Sequence, residues 1–188
     1  CFVVVDEAHK FKAAAEDTFG ERICQKDVSK YLAGVKHLRK DTVDKEKFKF
    51  YIDMIRKENT SLFTSLCRNM LLRDSEDERS NIINLKVFHI GKLQRLRFYI
   101  TELEKMKIKR NYGMPVTGDM LLTAINTFLK EGKNVVWLDT DENGVVSLCC
   151  TPKKISNILR KRVWDKNASF VLTSATISDG TDFEYFKE

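Results

Sequence analysis

The chain has 188 residues, 43% of them apolar and 32% charged, with a formal net charge of +6. That length can bury a substantial core, and no stretch approaches the roughly 18 consecutive apolar residues of a membrane helix. Five cysteines, Cys1, Cys24, Cys67, Cys149 and Cys150, are scattered without metal-ligand spacing; with no signal peptide visible, the odd count argues against a secreted disulfide framework, and a reducing cytoplasm is the simplest expectation.

In chain order, the first element is the run Phe2-Val3-Val4-Val5, followed by Asp6-Glu7-Ala8-His9. An unbroken apolar run that ends in charged residues predicts a strand buried on both faces of a parallel sheet, opening into a functional loop. Ligands collect at the carboxyl ends of such strands. Two adjacent acids there suit a magnesium-nucleotide site: Asp6 holds Mg²⁺ directly or through water, and Glu7 orients or deprotonates the water that attacks the terminal phosphate. His9 offers a neutral ring able to pass the phosphate state to a neighbouring segment. The same residues also read as an ordinary core strand with a polar exit capping a helix that starts near Lys12.

The middle of the chain has helical periodicity. Phe48, Ile52, Ile55, Leu62 and Leu66 share one helix face, and Leu93, Leu96, Ile100 and Leu103 repeat the rhythm on a later segment, predicting long antiparallel helices. Asp74 to Glu78 and Tyr112 to Gly118 read as the breaks. Asp119 is expected to cap a helix running to Glu131, with Gly132 as its stop. Val135 to Cys150 reads as a hairpin turned at Asn143-Gly144.

Positive charge concentrates on two stretches. Lys92, Arg95, Arg97, Lys105, Lys107, Lys109 and Arg110 surround Phe98 and Tyr99, while Lys153, Lys154, Arg160, Lys161 and Arg162 form a second basic helix. Such surfaces follow a phosphate backbone, with aromatic rings to stack bases; equally, they are solvated faces whose rings turn into the core. His37 and His89 read as surface or partly buried helix residues without a role.

The last strand, Phe170-Val171-Leu172, leads into Thr173-Ser174-Ala175-Thr176. Three hydroxyls bond carboxylate or imidazole partners and re-pair when those partners change. Alone, this pattern is also a common way to leave a strand and start a helix.

Taken together and in this order, Asp-Glu-Ala-His and Thr-Ser-Ala-Thr resemble motifs II and III of the superfamily two helicases, and the chain looks like the DinG and XPD branch of DNA helicases. In that branch a long helical insertion, the arch, separates the two motifs; roughly 160 residues separate them here. Residues 135 to 176 add to the likeness through Val-Val-Trp-Leu, Thr151-Pro152, the basic helix and Val163-Trp164. The resemblance implies an α/β fragment: a mainly α-helical arch on two adjacent parallel strands of a RecA-like P-loop motor domain, plus a β-hairpin. The expected divisions are 1–20 for the motif II strand and loop, 21–133 for the arch, 134–151 for the hairpin and 152–188 for the basic helix and motif III strand.

The implied activity is ATP-dependent unwinding of, or translocation on, single-stranded DNA, running from 5′ toward 3′ on the tracking strand. ATP and Mg²⁺ are its cofactors, Asp6, Glu7 and His9 its catalytic group, and Thr173 to Thr176 its coupling segment. Lys92, Arg95, Lys153, Lys154, Arg160 and Arg162 become candidate DNA contacts, because the arch of this family helps close a pore around DNA. No Gly-x-x-x-x-Gly-Lys-[Ser/Thr] loop is present, so the chain reads as a piece of a larger protein, inactive alone, with unpaired strand edges near Val3 and Val171. In this family the four cysteines of an iron-sulfur cluster precede motif II, so the larger protein can carry one or lack it. A helical protein-interaction or scaffold module without ATPase activity is the alternative, and a motor of another helicase branch, such as a restriction-enzyme subunit, is a third.

Overall fold

The computed structural model describes residues 2–37, 44–71, 82–106, 115–130 and 132–174. It is a mixed α/β structure, mainly helical, with one small parallel sheet and one antiparallel sheet. Two compact units emerge, one from Cys1–Gly20 with Thr151–Glu188, the other from Glu21–Cys150.

In the first unit, β1 (Phe2–Val5) pairs in parallel with β5 (Ser169–Leu172), Phe2 opposite Ser169 and Val5 opposite Leu172. The chain passes through the whole second unit between these neighbours. Burial alternates along both strands rather than being complete. Phe2 and Val4 are 79% and 66% exposed and Val171 46%, while Val3, Val5, Phe170 and Leu172 are half-buried. The apolar run predicts strands covered on both faces; here a two-stranded sheet has only one face packed among the described residues. That packing comes from aromatic rings. Trp164 lies edge-on to Phe170 at 4.7 Å between centroids and 5.2 Å from Phe11. Phe11 opens α1 (Phe11–Phe19), and Trp164 closes a wide π-type turn, Arg160–Trp164, that continues a short helix, Ile155–Leu159.

The second unit holds β2 (Glu21–Cys24), α2 (Gln25–His37), α3 (Lys45–Leu71), α4 (Val87–Lys105), α5 (Gly118–Phe128), β3 (Asn134–Thr140) and β4 (Val146–Pro152). The short helix Ile155–Leu159 of the first unit is therefore α6. Every apolar residue that the periodicity assigns to the two long helices is buried: Phe48, Ile52, Ile55, Leu62 and Leu66 on α3, and Leu93, Leu96, Ile100 and Leu103 on α4. Glu58 meets Arg95 and Ser61 meets Lys92, so rising numbers on α3 face falling numbers on α4 and the pair is antiparallel. Each such aliphatic side chain contributes roughly 1.5–3 kcal/mol relative to exposure, which far outweighs the weak propensities of the β-branched residues in these helices.

The antiparallel sheet has the order β2-β4-β3, with Glu21 opposite Cys150 and Cys24 opposite Ser147. β3 and β4 form the expected hairpin. Its turn uses one left-handed residue: Gly144 has φ +73° and its amide donates to the Asp141 carbonyl at 2.9 Å, while the Asp141 carboxylate accepts from the Asn143 and Val145 amides. Position 21 was expected to begin the helical insertion, whereas Glu21–Cys24 is a strand. Glu-Arg-Ile-Cys contains a single buried residue, Ile23, so no local period announces it; pairing with β4 creates it.

α5 begins one residue before the expected cap. The Thr117 hydroxyl accepts from the Met120 amide at 3.3 Å, and Asp119 lies in the first turn, where a carboxylate favours the helix dipole. Gly118 sits against the Glu104 side chain, which leaves no space for a Cβ; Glu104 in turn accepts from the Tyr31 hydroxyl at 2.8 Å, linking α2 to α4. The helix ends at Phe128, and Gly132, expected as its stop, lies beyond it at φ +67°. The predicted break at Asp74 to Glu78 and the turn residues Tyr112 to Met114 lie outside the described residues, as does Glu131. Among the described residues no helix is long and apolar enough to cross a membrane.

Candidate functional site at the ends of two parallel strands

Because β1 and β5 run in parallel and in register, the residues that follow them leave the sheet at the same end. The Thr173 amide donates to the Val5 carbonyl at 2.9 Å, extending the ladder by one rung, and the Ala8 amide then donates back to the Thr173 carbonyl at 2.9 Å. These two bonds clamp the loop after β1 onto the loop after β5.

Side chains complete the junction. The Thr173 hydroxyl donates to Asp6 Oδ1 at 2.8 Å, and the Glu7 amide donates to the same oxygen at 2.9 Å. The Thr173 hydroxyl first, and the Glu7 amide second, hold the Asp6 carboxyl below its ordinary pKa. Asp6 is therefore an exposed, ionised carboxylate with one oxygen committed to the protein. Glu7 adopts a left-handed backbone, φ +51° and ψ +47°, the sole non-glycine with positive φ among the described residues. An L residue there costs roughly 1–2 kcal/mol, and strain of this kind concentrates at functional loops. The kink turns the Glu7 side chain toward His9, whose Nδ1 lies 3.1 Å from Glu7 Oε2 and 2.6 Å from Ser174 Oγ.

Glu7 and Ser174 compete for His9 Nδ1: a protonated Nδ1 donates either to the Glu7 carboxylate or to the Ser174 hydroxyl oxygen, and an unprotonated Nδ1 accepts from the Ser174 hydroxyl. One ring atom thus links the state of Glu7 to the loop after β5.

Asp6, Glu7, His9, Thr173 and Ser174, five of the seven residues expected from the sequence at this site, are brought together. Ala175 and Thr176 lie outside the described residues. Sequence reasoning missed Ala8, which is 2% exposed and whose amide makes one of the two clamping bonds. Its signal was present only as a small residue between charged ones.

Mg²⁺ takes one or two carboxylates and completes its shell with water and phosphate oxygens, and Asp6 offers an ionised carboxylate at a strand end. A nucleotide finds less: no side chain at this junction replaces a phosphate-cradling loop. The buried thiols offer nothing either. Burial pushes Cys149 and Cys150 up to about 11, and no group of three or more His, Cys, Asp or Glu residues among the described residues is arranged to hold a metal ion.

The candidate DNA-contacting cations divide between the two units. In the second, Arg95 forms a two-point contact with Glu58, Nε to Oε1 at 2.9 Å and Nη2 to Oε2 at 3.1 Å, and Lys92 donates to Ser61. Both are engaged across the α3–α4 seam. In the first unit Lys153 and Lys154 are exposed, Arg160 lies 3.7 Å from Asp165, and Arg162 stands 5.6 Å over the Phe19 ring. A cleft of about 640 Å³ in the second unit, lined by Arg22, Asp27, Lys30, Val116, Asp119 and Leu121 among others, contains none of the expected site residues. No protein-family model matches the chain, and no curated protein matches it.

Proposed function

We propose that the chain is a segment of an ATP-dependent DNA helicase of the DinG and XPD type, with the arch inserted between two strands of a RecA-like motor. The supporting observation is the junction itself: two motifs separated by more than 160 residues of sequence meet through Thr173–Asp6 and His9–Ser174 bonds at the carboxyl ends of adjacent parallel strands. An interaction scaffold has no need of a strained acidic loop bonded to a hydroxyl segment, which is why the scaffold reading ranks second. The reading requires a phosphate loop and a second motor domain contributed by sequence outside these 188 residues.

In this account Asp6 would hold the cation, which would supply charge neutralisation at the phosphates. Glu7 orients the attacking water and takes its proton. Once Glu7 has taken that proton its carboxyl is a weaker acceptor, and His9 Nδ1–H, keeping its own proton, turns its donation to the Ser174 hydroxyl oxygen. The Thr173 hydroxyl donates to Asp6 Oδ1 throughout and so fixes the carboxylate's orientation. The hydroxyl segment thereby relays the state of the site along β5.

The test is coupling in the complete polypeptide. Ser174→Ala is expected to leave most ATP turnover intact while strand separation falls by an order of magnitude or more; equal loss of both activities contradicts the relay.

A further inference from the structure

Four aromatic rings meet on the seam between α3 and α4. Phe50 lies 5.6 Å from Tyr51 and 6.2 Å from Tyr99, the latter edge-on at 84°; Tyr51 lies 6.4 Å from Tyr99, and Phe98 lies 5.4 Å from Tyr99 at 69°. Tyr51 and Tyr99 are drawn into the core, but Phe50 and Phe98 are 52% and 55% exposed. Phe98 packs edge-on against the partly buried Tyr99, and Phe50 packs edge-on against Tyr99 and tilted against the buried Tyr51. Each ring is thus held by its neighbours with about half of its surface exposed, and it loses little entropy when a flat ligand lands on it.

The charge around them selects the ligand. α3 starts Lys45-Glu46-Lys47-Phe48-Lys49-Phe50 and continues through Asp53, Arg56 and Lys57. Arg56 pairs with Asp53 at 3.1 Å, whereas Lys47, Lys49 and Lys57 are exposed and have no ion pair among the described residues. Lys47 is one turn before Phe50 and Tyr51, its Nζ 6.0 Å from the Tyr51 ring, and Lys57 is two turns after Phe50 on the same face, about 10 Å along the axis. Free ammonium groups on both sides of exposed rings suit a polyanion with flat apolar groups. A protein partner would find lysines where interface cores are depleted of them.

We propose that Phe50 and Phe98 form a stacking platform for the bases of single-stranded nucleic acid, with Lys47, Lys49 and Lys57 contacting its phosphates. The platform deepens the helicase reading by naming where the helical unit grips the strand, on rings rather than on Lys92 and Arg95, which are engaged within the fold. Duplex presents no free base faces, so the preference is for single strands.

The test uses this chain, a fluorescein-labelled 20-mer of thymidine and the same strand with abasic residues, at low and moderate salt. Phe50→Ala and Phe98→Ala are each expected to weaken thymidine binding roughly five- to 150-fold and to leave abasic binding nearly unchanged. Phe98→Trp is expected to restore binding, with its indole fluorescence quenched by the stacked base. Lys47→Glu with Lys49→Glu is expected to lower the salt slope for both strands. Both rings are about half-exposed, so melting temperatures are measured beside binding, and a variant that unfolds is replaced by the Phe→Leu variant, which removes the ring while filling the site. Unchanged binding, equal loss on both strands, stronger binding to phosphatidylserine vesicles than to the 20-mer, or no binding by the parent chain overturns the platform. Binding that survives ring removal but falls with charge reversal at Lys153 and Lys154 overturns the platform while leaving the helicase reading intact.

Discussion

The Thr173 hydroxyl and the Asp6 carboxylate meet at 2.8 Å although 167 positions separate them in the chain. The bond depends on strand order: only a parallel pairing of β1 with β5, in the register that sets Val5 beside Leu172, brings the two following residues to the same edge. Removing it tests the junction directly. Thr173→Ala is expected to raise the Asp6 pKa toward the ordinary carboxylate range, measured by carboxyl-carbon NMR titration. Because Asp6 is depressed in the folded chain, its contribution to stability is present above the unfolded pKa and disappears as pH falls through the folded one. The variant narrows that window, and an unmoved titration contradicts the assigned bond.

Ala8 makes a second prediction. Its side chain is buried and its amide bonds Thr173, so Ala8→Leu forces the loop off β5. The expected loss is about 1–3 kcal/mol, in the range of core overpacking, read from urea unfolding. Ala8→Gly, which keeps the space, is expected to cost less.

How far the sequence speaks depends on the scale of the signal. Phe48 to Leu66 and Leu93 to Leu103 carry their period across four or five turns, and each named residue is buried. Asp6, Glu7, His9, Thr173 and Ser174 follow two apolar runs, and the parallel pairing of those runs brings them together, as two strands that end side by side must. β2 was not legible, since Glu-Arg-Ile-Cys becomes a strand only beside β4. Neither was the one-sided burial of Phe2 and Val4, because an apolar run states that a face wants cover without stating which cover is present. Lys92 and Arg95 read as free charge, yet Ser61 and Glu58, some thirty to forty residues away, engage them. Long-range partners of that kind leave no local pattern.

His89 gives a pH prediction that the sequence reading did not anticipate, having assigned it no role. The ring is 1% exposed, and Nδ1 accepts from the Lys86 amide at 3.2 Å in the cap of α4. Burial foremost, then the charges of Lys86 and Lys92, push its pKa below the ordinary value of about 6.5. The unfolded chain gains a proton on this ring before the folded chain does. Its stabilising contribution is therefore complete above about pH 6.5 and is lost as pH falls toward the folded pKa. Melting temperatures measured from pH 7.5 to 5 are expected to decline in the parent and to decline less in His89→Gln; parallel declines would assign the acid sensitivity elsewhere.

The central claim is that Glu7 activates water at a DNA-driven ATPase. The most direct measurement is ATP hydrolysis by the complete polypeptide, with and without single-stranded DNA, for the parent and for Glu7→Gln. The account predicts DNA-stimulated turnover that falls about 10²- to 10⁴-fold in the variant while nucleotide binding persists; equal turnover in the two proteins, or no turnover in the parent, contradicts it.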